Sequence, residues 1–183
     1  MLSRRLQRRK LTLAAALLLA APGACNVGSA EAEDPEGRAR RILEALPGTW
    51  RFKLGKKTTG TRVVEHLYPG SVVKWSETFD GRDVGGNGFL GHVPGRKLFF
   101  SMTVHNVAGE YGVMTGRIKP NEDTIVFETT HLPEDADPFK AVFRMSGRQH
   151  FTYTAFVKGD DGEWSTAWVA TFKRQGAPAS PAT

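Results

Sequence analysis

The sequence predicts an all-β protein, an up-and-down antiparallel barrel of about ten strands with a short N-terminal helix. Three observations favour this fold: turn-forming residues recur at nearly even intervals, the runs between them alternate apolar and polar side chains, and the connections are short. Short connections make neighbouring strands antiparallel. A long antiparallel meander removes its two exposed edges by closing into a barrel.

The helix is predicted to begin near Gly37. Apolar residues recur there at helical spacing, at Ala39, Ile42, Leu43 and Leu46, and Pro47-Gly48 ends the pattern. Such a helix either plugs one end of the barrel or packs on its outside, and the sequence leaves both arrangements open.

Nine turn signals then divide the chain into ten strand-length segments. Glycine supplies a positive φ, proline presets φ, and Asn or Asp hydrogen-bonds its own backbone, so each signal has a physical basis. The signals are Lys56-Lys57-Thr58, Pro69-Gly70, Asp80-Gly81, Pro94-Gly95, Ala108-Gly109, Pro120-Asn121-Glu122, Pro133 to Asp137, Ser146-Gly147 and Asp160-Asp161-Gly162.

Within the segments, apolar side chains occupy every second residue, as on the buried face of a strand. The first set is Trp50, Phe52 and Leu54, and the later sets are Val73, Trp75 and Phe79; Leu98, Phe100, Met102 and Val104; Ile125 and Phe127; Phe139, Ala141, Phe143 and Met145; Phe151, Tyr153, Ala155 and Val157; and Trp164, Thr166, Trp168, Ala170 and Phe172. Several opposite faces are also partly apolar, at Val64, Phe99, Val126, Val142 and Val169.

The two ends of the chain are predicted to lie outside the barrel. Residues 1–30 read as an export signal, with a basic start, the apolar stretch Leu11 to Ala21 and small residues through Ala30. Two processing sites compete: Gly28-Ser29-Ala30 suits signal peptidase, whereas Cys25 after Pro22-Gly23-Ala24 resembles a bacterial lipoprotein signal, although with Pro22 in place of the usual Leu, and would anchor the protein by a lipid. Residues 31–36 are then a linker, 37–174 one barrel domain, and 175–183 a disordered tail.

Charge and cysteine content exclude several classes of function. The formal net charge is +6, but five cationic residues lie within residues 1–30 and no acidic residue precedes Glu31, so the remainder carries about +1. A domain this close to neutral is not an electrostatic nucleic-acid binder. Cys25 is the only cysteine, so no intramolecular disulfide can form and no thiolate metal site is expected. The apolar stretch is too short for a transmembrane helix.

The motifs that suggest chemistry are better explained by structure. The segment Gly86-Asn87-Gly88-Phe89-Leu90-Gly91 has the spacing of a dinucleotide-binding loop, but His92-Val93-Pro94-Gly95 follows it and no helix can begin there. Gly86, Gly88 and Gly91 are therefore predicted to let a strand bend or to let a large side chain pack across it.

No spacing of histidines or serines indicates a metal site or a catalytic nucleophile, so we predict no catalytic residue and no metal site. Among the histidines, His105 and His131 are the candidates for facing a cavity, with His131 on the face of Ile125 and Phe127. Three glutamates lie inside strands, at Glu65, Glu77 and Glu128, and charged strand residues usually face water.

Two family resemblances bear on the fold. Leu46-Pro47-Gly48-Thr49-Trp50 resembles the Gly-x-Trp entry of lipocalin-like, calycin-type barrels, which implies that Trp50 closes one end of the barrel. With the glycine strand, Lys97-Leu98-Phe99 and the ending Lys173-Arg174, residues 49–174 resemble a bacterial family of exported lipocalin-like proteins of unknown function. The Gly-Thr-Trp start also resembles nitrobindin-like haem barrels, although the last strand here, Trp164 to Arg174, contains no histidine for haem.

These observations predict a small-molecule binder. A barrel of about eight strands is just wide enough to hold one ligand, and ten strands enclose more space. We therefore expect non-covalent binding of a small apolar molecule by an exported, periplasmic or extracellular protein. The candidate lining residues are Trp75, Phe100, Met102, Phe127, His131, Phe143, Tyr153 and Trp168. The alternatives are a packed, ligand-free structural or interaction module of the cell envelope and, third, a haem-binding barrel.

Overall fold

Ten antiparallel strands close into one barrel in the computed structural model, which describes residues 34–106, 111–131 and 138–176. The elements are α1 (Pro35–Ala45), β1 (Gly48–Leu54), β2 (Thr58–Tyr68), β3 (Val72–Phe79), β4 (Gly85–Val93), β5 (Leu98–His105), β6 (Tyr111–Ile118), β7 (Thr124–His131), β8 (Phe139–Ser146), β9 (His150–Lys158) and β10 (Trp164–Gln175). Each strand pairs with its neighbours in sequence, and β10 pairs with β1. The predicted all-β, up-and-down barrel with an N-terminal helix is confirmed.

Several sequence predictions lie outside the described residues. They are the signal segment with Cys25, residues 31–33 of the linker, the turns at 108–109 and 133–137, and the end of the tail beyond residue 176.

The helix α1 begins at Pro35, two residues before the predicted start at Gly37, so the end of the predicted linker 31–36 belongs to the helix. The Asp34 side chain accepts a hydrogen bond from the backbone N–H of Glu36 at 2.7 Å, and Pro35 occupies the first turn, where its missing N–H costs no bond. The apolar stripe of Ala39, Ile42 and Leu43 is buried in the barrel core. Burial of this stripe, more than helix propensity, stabilises so short a helix.

The helix lies against three of the strand connections at one end of the barrel. In the β4–β5 connection, the N–H of Gly95 donates to Glu36 at 2.7 Å, and in the β6–β7 connection Asp123 pairs with Arg41 at 2.7 Å. Gly70 in the β2–β3 connection abuts Arg40. The helix therefore covers this end, which we call the closed end. The opposite end, where the β1–β2, β3–β4 and β9–β10 connections lie, is called the open end.

Trp50 seals the closed end together with Arg174 of the last strand. The Trp50 side chain is fully buried, and its Nε1 donates to the Leu46 carbonyl at 2.7 Å. The Arg174 guanidinium lies 4.2 Å above the indole ring. Gly48 has a φ of +135°, and a Cβ there would collide with Arg174, so this position requires glycine. The Gly-x-Trp segment is thus the site at which the first and last strands meet.

Aromatic rings fill the barrel between the closed end and its middle. Phe151 stacks on Phe172 with ring centroids 4.1 Å apart, meets Trp50 edge-on at 4.7 Å, and contacts Phe143 at 5.2 Å. These rings are all at most 3% exposed, so this half of the interior is a packed core.

The glycines of β4 make room for large side chains. Gly88 faces the indole of Trp75 inside the barrel, and Gly91 faces the ring of Phe100 on the outer wall. The strand β4 runs on to Val93 without a helix after it, so the segment is not a dinucleotide-binding loop.

Replacing Gly88 with alanine should destabilise the barrel. The new Cβ would collide with both the Met102 carbonyl oxygen and the Trp75 ring, and backbone cannot move aside cheaply. We expect a loss of about 1–3 kcal/mol in the free energy of unfolding, measured by urea denaturation. Gly112→Ala is the matched control, because its Cβ would meet nothing within 4 Å. Equal losses in both variants would contradict this account of the glycine strand.

The inward face of β5 is opposite to the predicted one. Phe99 is fully buried and pairs with the buried His92, whereas Met102 and Val104 are 37% and 45% exposed. Cross-strand partners share one face of a sheet, so Phe99, Ser101, Thr103 and His105 point inward. Phe100 and Met102 therefore lie on the outer wall, and the prediction that they line a cavity is wrong.

On β7 and β10, β-bulges place side chains on the outer wall that were predicted to face inward. On β7 the register shifts between Thr129 and His131, which leaves Thr130 as an extra residue and turns His131 to the exposed outer side opposite Val113. On β10 the shift between Thr166 and Trp168 places Trp164 and Thr166 on the outer wall while Trp168 stays inward. Strict alternation predicted neither change.

Candidate functional site

The inward side chains at the open end remain partly exposed, unlike those at the closed end. Trp168 is 38% exposed although it faces inward, and Tyr153 and Phe139 are half-buried. Trp168 stacks on Tyr153 with ring centroids 5.6 Å apart and lies 6.2 Å from Phe139. These three rings form an apolar wall on β8, β9 and β10 that borders water.

An ion pair lies inside the barrel beside this wall. Arg62 of β2 and Glu77 of β3 are cross-strand partners, and their side chains are only 17% and 5% exposed. The Nε of Arg62 donates to Glu77 Oε2 at 2.9 Å, and Nη2 donates to the same oxygen. The guanidinium is held between two rings, with its Cζ 4.2 Å from the centre of Trp75 and 4.6 Å from that of Phe172. Both the position and the plane of Arg62 are therefore fixed.

Part of the hydrogen-bonding capacity of this pair is unused. Within the described ranges Arg62 Nη1 has no acceptor, and Glu77 Oε1 has only His105 Nδ1 nearby, at 4.0 Å, which is too long for a hydrogen bond. No polar side-chain atom in the described ranges is both sealed from water and unpartnered, so Nη1 reaches solvent. The pair thus offers one donor and one acceptor to the barrel interior.

Tyr153 adds a neutral hydroxyl to the same region. Burial raises the pKa of this phenol far above its ordinary range, so it stays protonated. Its hydroxyl lies 3.8 Å from Met114 Sδ, a weak acceptor. Tyr153 therefore joins Arg62, Glu77 and His105 as a polar group that faces the interior here.

A groove of about 370 Å³ leads to Glu77 at the edge of the open end. It runs over β3, β4 and β5, where Gly85 and Gly86 leave space beside His105. The groove is lined by Ser76, Glu77, Thr78, Gly85, Gly86, Asn87, Val104, His105 and Asn106. Glu77 and His105 therefore lie in the wall of a groove that opens to solvent at the rim.

The eight predicted lining residues fall into three groups. Trp75, Phe127 and Phe143 point inward and are buried in the core, and Tyr153 and Trp168 point inward at the open end. Phe100, Met102 and His131 are on the outer side.

Sequence reasoning missed the ion pair, although the alternation contained a signal for it. Glu77 stands between Trp75 and Phe79 at every second residue, so it shares their inward face. The other strand glutamates, Glu65 and Glu128, are exposed as predicted for charged strand residues. The position of Glu77 in the alternation therefore indicated its inward orientation better than its charge did.

His92 lies at the closed end, where it is 8% exposed and packs 5.0 Å from the Phe99 ring. Burial lowers the pKa of His92 below the usual histidine range, an effect that the nearby Glu36 carboxylate partly offsets. The imidazole is therefore predominantly neutral in the folded protein near pH 7.

Acidification should weaken the fold through His92. The unfolded chain takes up this proton first, at a pKa of about 6.5, so the stability present above that pH falls as the pH drops through it. We expect the urea midpoint to decrease between pH 7 and pH 5, and to decrease less in His92→Gln. His150→Gln, at an exposed histidine, is the control. A pH profile unchanged in His92→Gln would refute the assignment.

The last strand lacks the haem-ligating histidine that the nitrobindin resemblance implies. The inward side chains of β10 are Ser165, Trp168, Ala170, Phe172 and Arg174, and none of these is a usual haem ligand. Within 34–106, 111–131 and 138–176, no three His, Cys, Asp or Glu side chains are close enough to hold a metal ion.

The fold and site define a β-barrel with one packed end and one partly open end. Residues 36–174 match the family described as "Protein of unknown function (DUF1579)". The chain belongs to this family. No curated protein matches the chain significantly.

Solved structures with this fold share little sequence with the chain. Rv2717c from M. tuberculosis is 17% identical, with a TM-score of 0.57 over 75% of this chain and 98% of that one. The S-type phycobiliprotein lyase CPES from Guillardia theta is 12% identical, with a TM-score of 0.50 over 75% and 93%. At such identities these likenesses support the barrel fold alone. In the part of the chain that the structure describes, no helix is long and apolar enough to cross a bilayer.

Proposed function

We propose that this protein binds a small, largely apolar molecule non-covalently in the open end of its barrel. One observation carries the proposal: Trp168 faces inward and yet is 38% exposed, on a wall that it forms with Tyr153 and Phe139. A ligand that covered these rings would remove their apolar surface from water, which is favourable by about 25 cal/mol per Å². The packed closed half supplies the rigid floor that such a site needs.

Binding of a neutral apolar dye tests this proposal. N-phenyl-1-naphthylamine should become fluorescent on addition of the purified protein, and Trp168→Ala should weaken its affinity by about tenfold or more. Trp164→Ala is the matched control, because Trp164 is as exposed (40%) but lies on the outer wall. Equal affinity in the wild type and Trp168→Ala, or an absence of dye binding, would contradict the proposed site. Native mass spectrometry of protein purified from its source cells should then show the natural ligand.

The second candidate function is a packed, ligand-free interaction module. The outer wall favours it, because Met102 and Val104 are exposed there next to Phe100 and Phe89. On this alternative, purified protein carries no small molecule and takes up no dye. Met102→Glu should then disrupt association with a partner while leaving the barrel folded.

We propose that the protein is exported, through the signal predicted at residues 1–30. The family match begins only at residue 36, which leaves this basic and apolar segment ahead of the domain. Cleavage after Ala30 would release the protein into the periplasm or medium, whereas processing at Cys25 would leave a lipid anchor. The intact mass of the mature protein distinguishes the two routes, and cytoplasmic protein that retained residues 1–30 would argue against both.

A further inference from the structure

We propose that the Arg62–Glu77 pair makes the site selective for ligands whose buried end is neutral and carries both a hydrogen-bond donor and an acceptor, such as a primary amide, and that it disfavours carboxylates. This inference rests on the proposed function and adds the chemical class of the ligand. An arginine inside a barrel would ordinarily suggest an anion site. Here the geometry of its partner points to a neutral group.

Among the described residues, the Arg62–Glu77 pair leaves one hydrogen-bond donor and one acceptor unused. Both Nε and Nη2 of Arg62 donate to one oxygen, Oε2, of Glu77. This leaves Nη1 as a free donor and Oε1 as a free acceptor within the described part of the barrel. The rings of Trp75 and Phe172 hold the guanidinium in place. The donor and acceptor are therefore preorganised and carried by the same ion pair.

The charges around the Arg62–Glu77 pair disfavour an additional anion. The titratable groups that face this region are Arg62, Glu77, His105 and Tyr153. Arg62 is neutralised by Glu77, and Tyr153 is uncharged because burial raises the pKa of its hydroxyl. A carboxylate that reached Nη1 would lie close to the carboxylate of Glu77, which is only 5% exposed and poorly screened by water. Repulsion between the two anions opposes the attraction of Arg62.

A neutral group with both functions avoids this repulsion. The carbonyl oxygen of an amide can accept from Nη1 while its N–H donates to Oε1, so that both unused atoms gain partners. A hydrocarbon end would instead cover them without replacing their water, which is costly for charged groups. The pair therefore discriminates against purely apolar ligand ends as well as against anions.

Competition among chain-matched ligands tests the inference. Decanamide, decanoate and decyltrimethylammonium displace N-phenyl-1-naphthylamine from the wild type at pH 8, where histidine side chains are ordinarily neutral. We expect decanamide to bind more tightly than either ion by about tenfold or more. Tighter or equal binding of decanoate would overturn the selectivity while leaving the proposed binding function intact. Failure of the dye itself to bind would instead refute the proposed function.

Two variants locate the selectivity in this pair. In Glu77→Gln the charge of Arg62 is uncompensated, so decanoate should become the preferred ligand. Glu65→Gln is the matched control on the outer wall, where Glu65 is 61% exposed, and the wild-type order should remain. If Glu77→Gln does not fold, the apolar double variant Arg62→Met, Glu77→Leu replaces it, since apolar residues often substitute well for a buried ion pair. That variant should bind decanamide at least about tenfold more weakly than the wild type does, because both hydrogen-bonding partners are gone, and an unchanged decanamide affinity would overturn the proposal.

Discussion

Replacing Trp50 with alanine should reduce the free energy of unfolding by about 3–5 kcal/mol, the usual cost of removing a fully buried large aromatic side chain. The indole is 0% exposed and contacts the Phe151 ring edge-on. Its loss opens a cavity under α1, removes the hydrogen bond to the Leu46 carbonyl, and leaves the Arg174 guanidinium without the ring beneath it. Urea denaturation followed by circular dichroism measures the change.

Two further variants separate the cavity from the loss of a tryptophan as such. Trp50→Phe retains most of the volume but has no N–H donor, so it should cost clearly less than alanine. Trp164→Ala removes an indole that is 40% exposed on the outer wall, and its effect should stay small. A loss below about 1 kcal/mol in Trp50→Ala would mean that Trp50 does not belong to the core.

The architecture was predictable because its determinants are local. Each hairpin is specified by a few turn residues, among them Gly70, Gly81, Gly95, Gly147 and Gly162, which all adopt a positive φ. Ten strands joined by short connections have one compact arrangement without edges, so the barrel follows from the spacing of the turns. The position of α1 over one end did not follow, because its apolar stripe fits either the barrel mouth or the outer wall equally well.

The assignment of faces failed where alternation is interrupted or ambiguous. On β5 both faces carry large apolar residues, so Phe99 and Phe100 were equally plausible inward residues. The strand register distinguishes them: Phe99 pairs with Gly116 on the inward face and belongs to the core. On β7 and β10 a bulge shifts the parity by one residue, and a bulge depends on pairing between strands rather than on local sequence.

The ion pair at the candidate site shows what sequence reasoning lacks. Arg62 and Glu77 are fifteen residues apart and become partners only through the β2–β3 register. A charged strand residue is normally assigned to water because an unpaired buried charge is too costly. Pairing between Arg62 and Glu77 lowers the free-energy cost of burying their charges. This pairing is visible only in the closed barrel.

Replacing Arg174 with alanine should also be strongly destabilising, by about 2–4 kcal/mol, because the side chain is buried and three partly buried carbonyl groups would lose their donor. Arg174 donates to the Ala45 carbonyl, to Pro47 at 2.6 Å and to Arg148 at 2.8 Å. The Ala45 carbonyl is at the C-terminal end of α1, where helix carbonyls lack partners and a cation is favourable. The last turn of α1 carries no basic residue of its own, so Arg174 supplies this charge from β10.

Conservative and neighbouring substitutions test this role. Arg174→Lys keeps the charge but cannot reach three carbonyls with a planar fork, so it should recover only part of the lost stability. Lys173→Ala, at the adjacent exposed residue, should change the stability by less than about 0.5 kcal/mol. Trp50→Ala and Arg174→Ala should cost less together than the sum of the two single variants, because the two side chains are in contact. Strict additivity would show that Arg174 holds α1 independently of Trp50, and would contradict the closed end as one cooperative unit.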